Sequence, residues 1–330
     1  MKAFNVYDKD LNRVGTIETW VSLLWQEGYN TVGTFLIECQ QTKEVAKLLK
    51  VGNYIGRGDF KTLCLIRSVE VRDRLIVANG HPAVNILGER VSTMVIDNQN
   101  AEEAMRSLVT NMSPWECVQV GELAGISEKF ERQISDKTIL QYCEEIAEEI
   151  DAGFRFRFDK ANKKLLFEVY KPVKNENLVF ATKFGNLAEI IYSETDNQFK
   201  NVAVVAGAGE GDARITVMVG DLTATGAARR EMYVDARQIQ IEEEETEEAY
   251  KIRLKNEGLE KLASQIKIEN LSAKISSDDF GKKYNLGDVV TCILDDLGVK
   301  LDTRIIGFSY VSQNNQTTME LEFGKPIIRR

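Results

Sequence analysis

Short runs in which apolar and polar residues alternate dominate the first third of the chain. Ala3 to Tyr7, Val14 to Ile17, Trp20 to Leu24, Gly33 to Cys39, Tyr54 to Gly56, Leu63 to Arg72 and Arg74 to Val77 each read as a strand. Polar or glycine-bearing turns are expected between and after them, among them Tyr7-Asp8-Lys9-Asp10, Gln26-Glu27-Gly28 and Gly80-His81-Pro82. Thr42 to Leu49 is the one short helix expected there. Many short strands at regular spacing point to a barrel or sandwich over residues 1–97.

From Asn98 the apolar period lengthens to that of a helix. Ala101, Ala104, Met105, Leu108, Val109 and Met112 fall on one face, with Asn98 or Asn100 as N-cap. A second helix, capped by Asp136, is expected to bury Ile139, Cys143, Ile146, Ala147 and Ile150. Phe154 to Phe158 and Lys164 to Tyr170 then form two strands around the turn Asp159-Lys160-Ala161-Asn162, so residues 98–175 read as a small α/β domain. Strands return at Ala188 to Val205 and Arg214 to Val219 within a last domain over residues 176–330. A charged helix, Glu242 to Ile266, interrupts that domain as an insertion over residues 241–268. Its apolar stripe is Leu259, Leu262, Ala263 and Ile266, and Glu247-Lys251 and Glu257-Lys261 are i,i+4 pairs. In the closing segment Val289, Thr291 and Ile293 alternate with Val290, Cys292 and Leu294, and Gly287 and Gly298 supply turns. The class is therefore α+β and β-rich.

A chain of 330 residues is longer than most single domains need, which agrees with this division. Its net charge of -9 argues against gripping a phosphate backbone, which takes many Lys and Arg, and suits a surface past which DNA slides. No apolar run reaches the roughly 20 residues of a membrane span, and the N-terminus lacks the apolar core of a secretory signal. The five cysteines form no CxxC pair and read as reduced, buried thiols made in a cytoplasm.

Candidate chemistry is thin. Ala206 to Gly211 has the spacing GxGxG, not GxGxxG, and leads into β-formers rather than a helix. It reads as a glycine-rich hairpin rather than a dinucleotide site. No Walker A sequence occurs, and His81, the single histidine, excludes multi-histidine zinc sites. No catalytic, cofactor or metal residue is assigned. The acidic run Glu242 to Glu248 suits the first turn of a helix, where it complements the dipole. Trp20, Trp25, Tyr29 and Phe35 read as packing aromatics, with a sugar platform as the alternative.

Four segments, in this order and spacing, carry a resemblance: Trp20 to Phe35, Gly80 to Arg90, Gly226 to Ala236 and Phe280 to Lys325. The chain resembles the tail hub, or tail-tip, family of Gram-positive long-tailed phages and related tailocins, itself similar to the trimeric baseplate hubs of contractile tails. The resemblance implies two β-barrel-like domains of hub type in each subunit, a homotrimer, and a virion location at the distal tail tip. It further implies contacts with a distal tail or tail-tube protein, a tape-measure protein and a separate spike, fibre or receptor-binding protein. DNA would pass without specific binding, and no membrane anchoring is expected. Arg229, Arg230, Glu231 and Asp235 are the interface candidates: Arg229-Arg230 beside Glu231 read as an interface salt-bridge cluster, with simple surface charge as the alternative, and the resemblance says only that the motif around them recurs in the family. Two other classes stay open from the residues: a tail-borne cell-wall hydrolase using paired carboxylates, and a carbohydrate-binding adhesin.

Overall fold

A computed structural model describes residues 3–93, 95–111, 115–133, 137–211, 214–243, 245–265, 268–275, 281, 283–313 and 316–324. The chain divides into two units: Met1–Ile191 with Leu271–Arg330, and Tyr192–Asn270.

The first unit opens with β1 (Phe4–Tyr7), β2 (Arg13–Ile17), β3 (Ser22–Gly28), β4 (Phe35–Gln40), α1 (Lys43–Leu48), β5 (Tyr54–Arg57), β6 (Cys64–Arg72) and β7 (Leu75–Pro82). Alternation makes these strands: along β4, Phe35, Ile37 and Cys39 are buried, while Leu36 and Glu38 between them are half-buried. Asp8 shapes the expected first turn, its Oδ1 accepting from the Asp10 and Asn12 amides at 3.0 and 2.9 Å. Thr42 caps α1, its side chain accepting from Val45 N at 3.1 Å.

Two expected turns are strand instead. Gln26, Glu27 and Gly28 continue β3, because Gly307, Phe308 and Ser309 of a distant strand pair with them and the Gln26 amide side chain donates to Ser309 Oγ at 2.8 Å. The chain reverses after Gly28 instead, where Asn30 takes φ 57°. Gly80 and His81 likewise lie within β7, opposite Phe35 and Leu65. A Cβ on Gly80 would stand 1.9 Å from the Leu65 carbonyl oxygen, so this glycine serves close strand approach rather than a turn.

The middle block comprises β8 (Val95–Asn100), α2 (Ala101–Asn111), β9 (Val118–Val120), β10 (Lys129–Gln133), α3 (Ile139–Glu149), β11 (Gly153–Asp159) and β12 (Lys164–Tyr170). Of the two caps considered for α2, Asn100 accepts from Glu103 N at 3.0 Å. Met112 and Asp136 lie outside the described residues; α3 is capped by Thr138, which forms a capping box with Gln141. Ala101, Ala104, Met105, Leu108 and Val109 of α2 and Ile139, Cys143, Ile146 and Ala147 of α3 join one core with Phe154, Phe156, Leu165 and Phe167. Glu102, 1% exposed, accepts from the amides of Ala124, Gly125 and Ile126 at 2.6, 3.0 and 3.1 Å, so a buried carboxylate fixes a loop the sequence left unread.

Next come β13 (Lys174–Ala181) and β14 (Ala188–Thr195), and β14 leads into the second unit. There β15 (Val202–Ala206), β16 (Thr216–Gly220) and β17 (Glu231–Asp235) form a three-stranded sheet of order β16-β15-β17, and α4 (Glu247–Ala263) packs on it. Thr246 caps α4 through Ala249 N at 3.2 Å. The buried side of α4 is Tyr250, Leu254 and Gly258, and of the stripe expected from the sequence Leu262 packs against the same core, while Leu259 is 51% exposed, Ala263 is exposed and Ile266 lies outside the described residues. Gly258 sets that face. A Cβ there would meet Val205 Cγ2 at 2.4 Å and Val219 Cγ2 at 2.8 Å, so helix and sheet touch through a residue with no side chain.

The chain closes with β18 (Ile268–Ile275), β19 (Val289–Leu294), β20 (Val299–Gln313) and β21 (Gln316–Phe323). In the first unit these strands join the N-terminal ones in one large sheet that runs β18-β21-β20-β3-β4-β7-β6-β5-β1-β2, with β19 pairing both β20 and β13. The junction sets Trp25 opposite Tyr310 and Leu24 opposite Val311. Behind it Trp25, 0% exposed, packs on Phe4, on Phe35 (also 0% exposed) and on Phe60 at centroid distances of 5.8, 5.6 and 5.0 Å. The Arg57 guanidinium stacks on Phe60 at 4.2 Å and Tyr310 at 4.0 Å. Trp25 and Phe35 therefore belong to a core, while Trp20 and Tyr29 are half-buried.

Candidate interface residues

The four interface candidates all belong to the second unit, on or beside β17. Arg229 Nε donates to Glu231 Oε1 at 2.6 Å. Arg230 turns elsewhere, to the Asp196 carboxylate at 2.8 Å and the Asp196 carbonyl at 2.7 Å. Asp235 is shared by Arg237 at 2.5 Å and Arg214 at 2.6 Å, and their guanidinium groups, Arg237 first, hold its carboxyl down at about 2. The residues adjacent in sequence thus form three separate ion-paired groups rather than one cluster.

Between Glu231 and Asp235 stands Tyr233, 60% exposed, and across the sheet in the same row are Val204 and Met218, the latter 49% exposed. Arg214 Nη1 donates to Tyr233 Oη at 2.8 Å, and Arg229 Nη2 reaches Met218 Sδ at 3.7 Å. The outer face of this small sheet is therefore a short apolar row with an arginine–carboxylate pair at each end. Tyr, Met and Arg are the residue types enriched in the cores of protein interfaces. Sequence reading singled out the charges and missed Tyr233 and Met218; the alternation within MYV and VMV could have marked both as outward-facing.

The acidic run before α4 divides its work. Glu247 and Glu248 sit in the first helical turn, while Glu242 and Glu245 grip Arg253 at 2.6 and 3.1 Å; Glu244 lies outside the described residues. The glycine-rich segment links β15 to β16 as a hairpin connection, and Ala208 N donates to Tyr250 Oη at 2.7 Å.

The first unit holds a partly open pocket of about 70 Å³ whose polar lining includes Glu27, Asp59, Lys61, Thr62, Arg155 and Asn285. Glu27 Oε1 accepts from Thr62 Oγ1 at 2.5 Å and Trp25 Nε1 at 2.7 Å, and burial pushes its carboxyl up. Burial and the neighbouring Arg155 push the Lys61 ammonium down. Asp59 is bound by Arg57 at 2.6 Å. Arg155 is the cation whose charge acts on the Glu27 carboxyl, and Asp59 lines the same pocket while bound to Arg57.

The motifs of the last segment are spent on packing. Gly287 takes φ 90°, and Asp288, 5% exposed, accepts from Val173 N at 3.1 Å and Asn285 N at 2.8 Å. Asp302 accepts from Thr291 Oγ1 at 2.7 Å, Thr303 Oγ1 donates to the Gly324 carbonyl at 2.7 Å, and Arg304 reaches the Gly287 carbonyl at 2.8 Å. Phe280 and Lys325, the ends of that segment, lie outside the described residues. His81 is exposed on β7 with Nδ1 3.0 Å from the Gly33 carbonyl, and all five cysteines are free and buried. Among the described residues no group of His, Cys, Asp and Glu could hold a metal, and no helix is long and apolar enough to cross a membrane.

The family model of Siphovirus ReqiPepy6 Gp37-like proteins matches residues 3–74 and 69–325. The chain belongs to that phage tail family. No curated protein matches it by sequence. Among solved structures it is similar to the prophage MuSo2 43 kDa tail protein of Shewanella oneidensis, at 12% identity and TM-score 0.64 over 98% of each chain. The tail protein of Neisseria meningitidis MC58 matches at 13% identity and TM-score 0.61, over 97% of this chain and 95% of that one. The prophage tail protein gp18 of Listeria monocytogenes EGD-e matches at 12% identity and TM-score 0.57, over 98% and 95%. At these identities the likeness is one of fold. This siphovirus-type tail protein thus shares a β-rich fold with phage tail proteins along nearly its whole length.

Proposed function

We propose that this tail protein is the structural hub at the distal tip of a phage or phage-tail-like particle, a homotrimer that forms the exit channel for tape measure and DNA. The observation that carries the reading is the extent of the likeness: the family match and the tail-protein fold both run through the chain instead of stopping at one domain. In this reading residues 1–97 and 176–330 are two near-equivalent β-barrel-like hub domains, residues 98–175 an α/β spacer and residues 241–268 a helical insertion. Three subunits then present six such domains to a sixfold tail tube or distal ring and a threefold face to the tip. Receptor binding falls to a separate spike or fibre, and no catalysis is asked of the hub.

Mass photometry with negative-stain imaging of the purified protein tests this. A trimeric ring with a central hole is expected; a monomer at every concentration, or a clearing band on host peptidoglycan lost in Glu27→Gln, would overturn it.

A further inference from the structure

The three-stranded sheet of the second unit has two open edges, and they differ in chemistry. Within the sheet Gly207 N donates to the Ile215 carbonyl and Asp221 N to the Asn201 carbonyl, at 2.9 and 2.8 Å. By antiparallel alternation Val217 and Val219 of β16 therefore bond inward to β15, and Thr216, Met218 and Gly220 direct their N–H and C=O groups outward. On the other side Val202 N donates to the Arg230 carbonyl and Ala236 N to the Ala206 carbonyl, at 3.2 and 2.8 Å. Glu231, Tyr233 and Asp235 of β17 are then the outward residues. Among the described residues no strand pairs with the outer side of either β16 or β17.

Such edges are templates for another strand. A second β17 is a poor occupant. Antiparallel pairing centred on Tyr233 sets Glu231 of each copy opposite Asp235 of the other, two like-charge contacts in one short ladder. β16 itself carries no charged residue: its outward residues are Thr216, Met218 and Gly220, and the charge nearest them is the Arg229 guanidinium at Met218 Sδ, which would attract rather than repel the acidic β17 edge. β15 runs parallel to β17 and antiparallel to β16, so copies related by rotation about an axis along the strands bring β17 of one against β16 of the next in antiparallel sense. That contact is heterologous, and a heterologous contact that closes makes a ring.

We propose that β17 of one subunit pairs with β16 of the next, with Tyr233 opposite Met218, Glu231 opposite Gly220 and Asp235 opposite Thr216, closing a ring of strands through the second units. The occupant of each edge is a second copy of this chain. Tyr233 and Met218 meet as ring against sulfur, and Asp235 gains a hydroxyl partner. The acidic residues on β17 keep like edges apart and leave the β16 edge as the one that fits. This rests on the trimeric reading above and adds which strands meet.

Cysteine cross-linking of the full chain tests it. Met218 and Tyr233 of one copy sit two strands apart, roughly 9–10 Å, beyond disulfide reach, whereas directly paired residues at about 5.5 Å are within it. All five native cysteines are buried, so engineered ones are the reactive thiols. The double variant Met218→Cys with Tyr233→Cys should give covalent dimer and trimer on oxidation, with nothing larger, and either single variant should give none. A trimer by mass photometry without the double-variant cross-link, or a dimer from one single variant, overturns the pairing while leaving the trimeric hub standing. A monomer by mass photometry refutes the trimeric reading and this pairing with it.

Discussion

The two units use their strands in opposite ways. In the first, the N-terminal and C-terminal strands share one large sheet, whose aromatic core buries Trp25 and Phe35 completely. In the second, a short sheet lies under one helix, both of its edges are open among the described residues, and Met218 and Tyr233 face outward. Sequence motifs are not a guide to which is which. Most of the segments that carry the family resemblance lie in the first unit, where glycines, Asp288, Asp302 and Arg304 serve packing and turns. Exposed chemistry suited to association concentrates in the second unit, where the motif Gly226 to Ala236 crosses the edge strand β17. Resemblance in this chain therefore marks the scaffold first and the proposed contact surface second.

The largest break in that comparison is Trp25→Ala. It removes a fully buried indole that packs on Phe4, Phe35 and Phe60 and donates to Glu27. A loss of about 3–5 kcal/mol is expected from the cavity it leaves. Urea unfolding combined with hydrogen exchange checks it: protection should fall in β1, β3 and β20 and hold in β15 to β17. Loss spread evenly over both units would erase the distinction between them.

Gly258→Val is the reciprocal change. The new side chain enters the van der Waals space of Val205 and Val219, and overpacking of this kind costs about 2 kcal/mol. The same exchange measurement should show α4 and its sheet weakened while the aromatic core of the first unit is untouched. Unchanged protection in α4 would mean that the close helix–sheet approach is not required.

A smaller effect separates the units by pH. Burial raises the Glu27 carboxyl, so the native state holds its proton more tightly than the unfolded chain does. Its contribution is favourable at low pH and is lost as pH rises through the unfolded value of 4.5 toward the raised native one. Glu27→Gln keeps an oxygen for Thr62 and Trp25 but cannot titrate. Its Tm relative to wild type should therefore improve between pH 4 and pH 7, measured by calorimetry at both; an equal difference at the two would contradict a desolvated acid. Asp235 gives the smallest effect and the opposite sign. Its carboxyl sits at about 2 instead of 3.8, so its contribution is present above 3.8 and lost as pH falls through about 2. The side chain is exposed, and solvent screening keeps the effect slight. NMR titration should find a low apparent value in wild type and one near 3.8 in the variant Arg237→Ala with Arg214→Ala.

Much of the local structure was legible. The alternations at Ala3 to Tyr7 and Leu63 to Arg72, the helical faces over 101–109 and 139–147, and the glycine turns at Gly287 and Gly298 all correspond to elements. What failed did so for tertiary reasons. Gln26 to Gly28 carries turn-forming residues yet stays extended, because β20, nearly three hundred positions away, supplies its partners. The buried side of α4 was partly misread, because a glycine, invisible to an apolar count, is the contact point. Neither the β3–β20 junction nor the buried Glu102 leaves a local signature, since both depend on groups distant in sequence. Of the site, the charges of Arg229 to Asp235 stood out, but the outward Tyr233 and Met218 needed the strand register.

The most direct test of the account is the particle the purified chain forms. Mass photometry should give a mass three times that of one chain, and negative-stain averages should show a threefold ring with an open centre. A single-chain mass over the whole concentration range, with no ring, would contradict it.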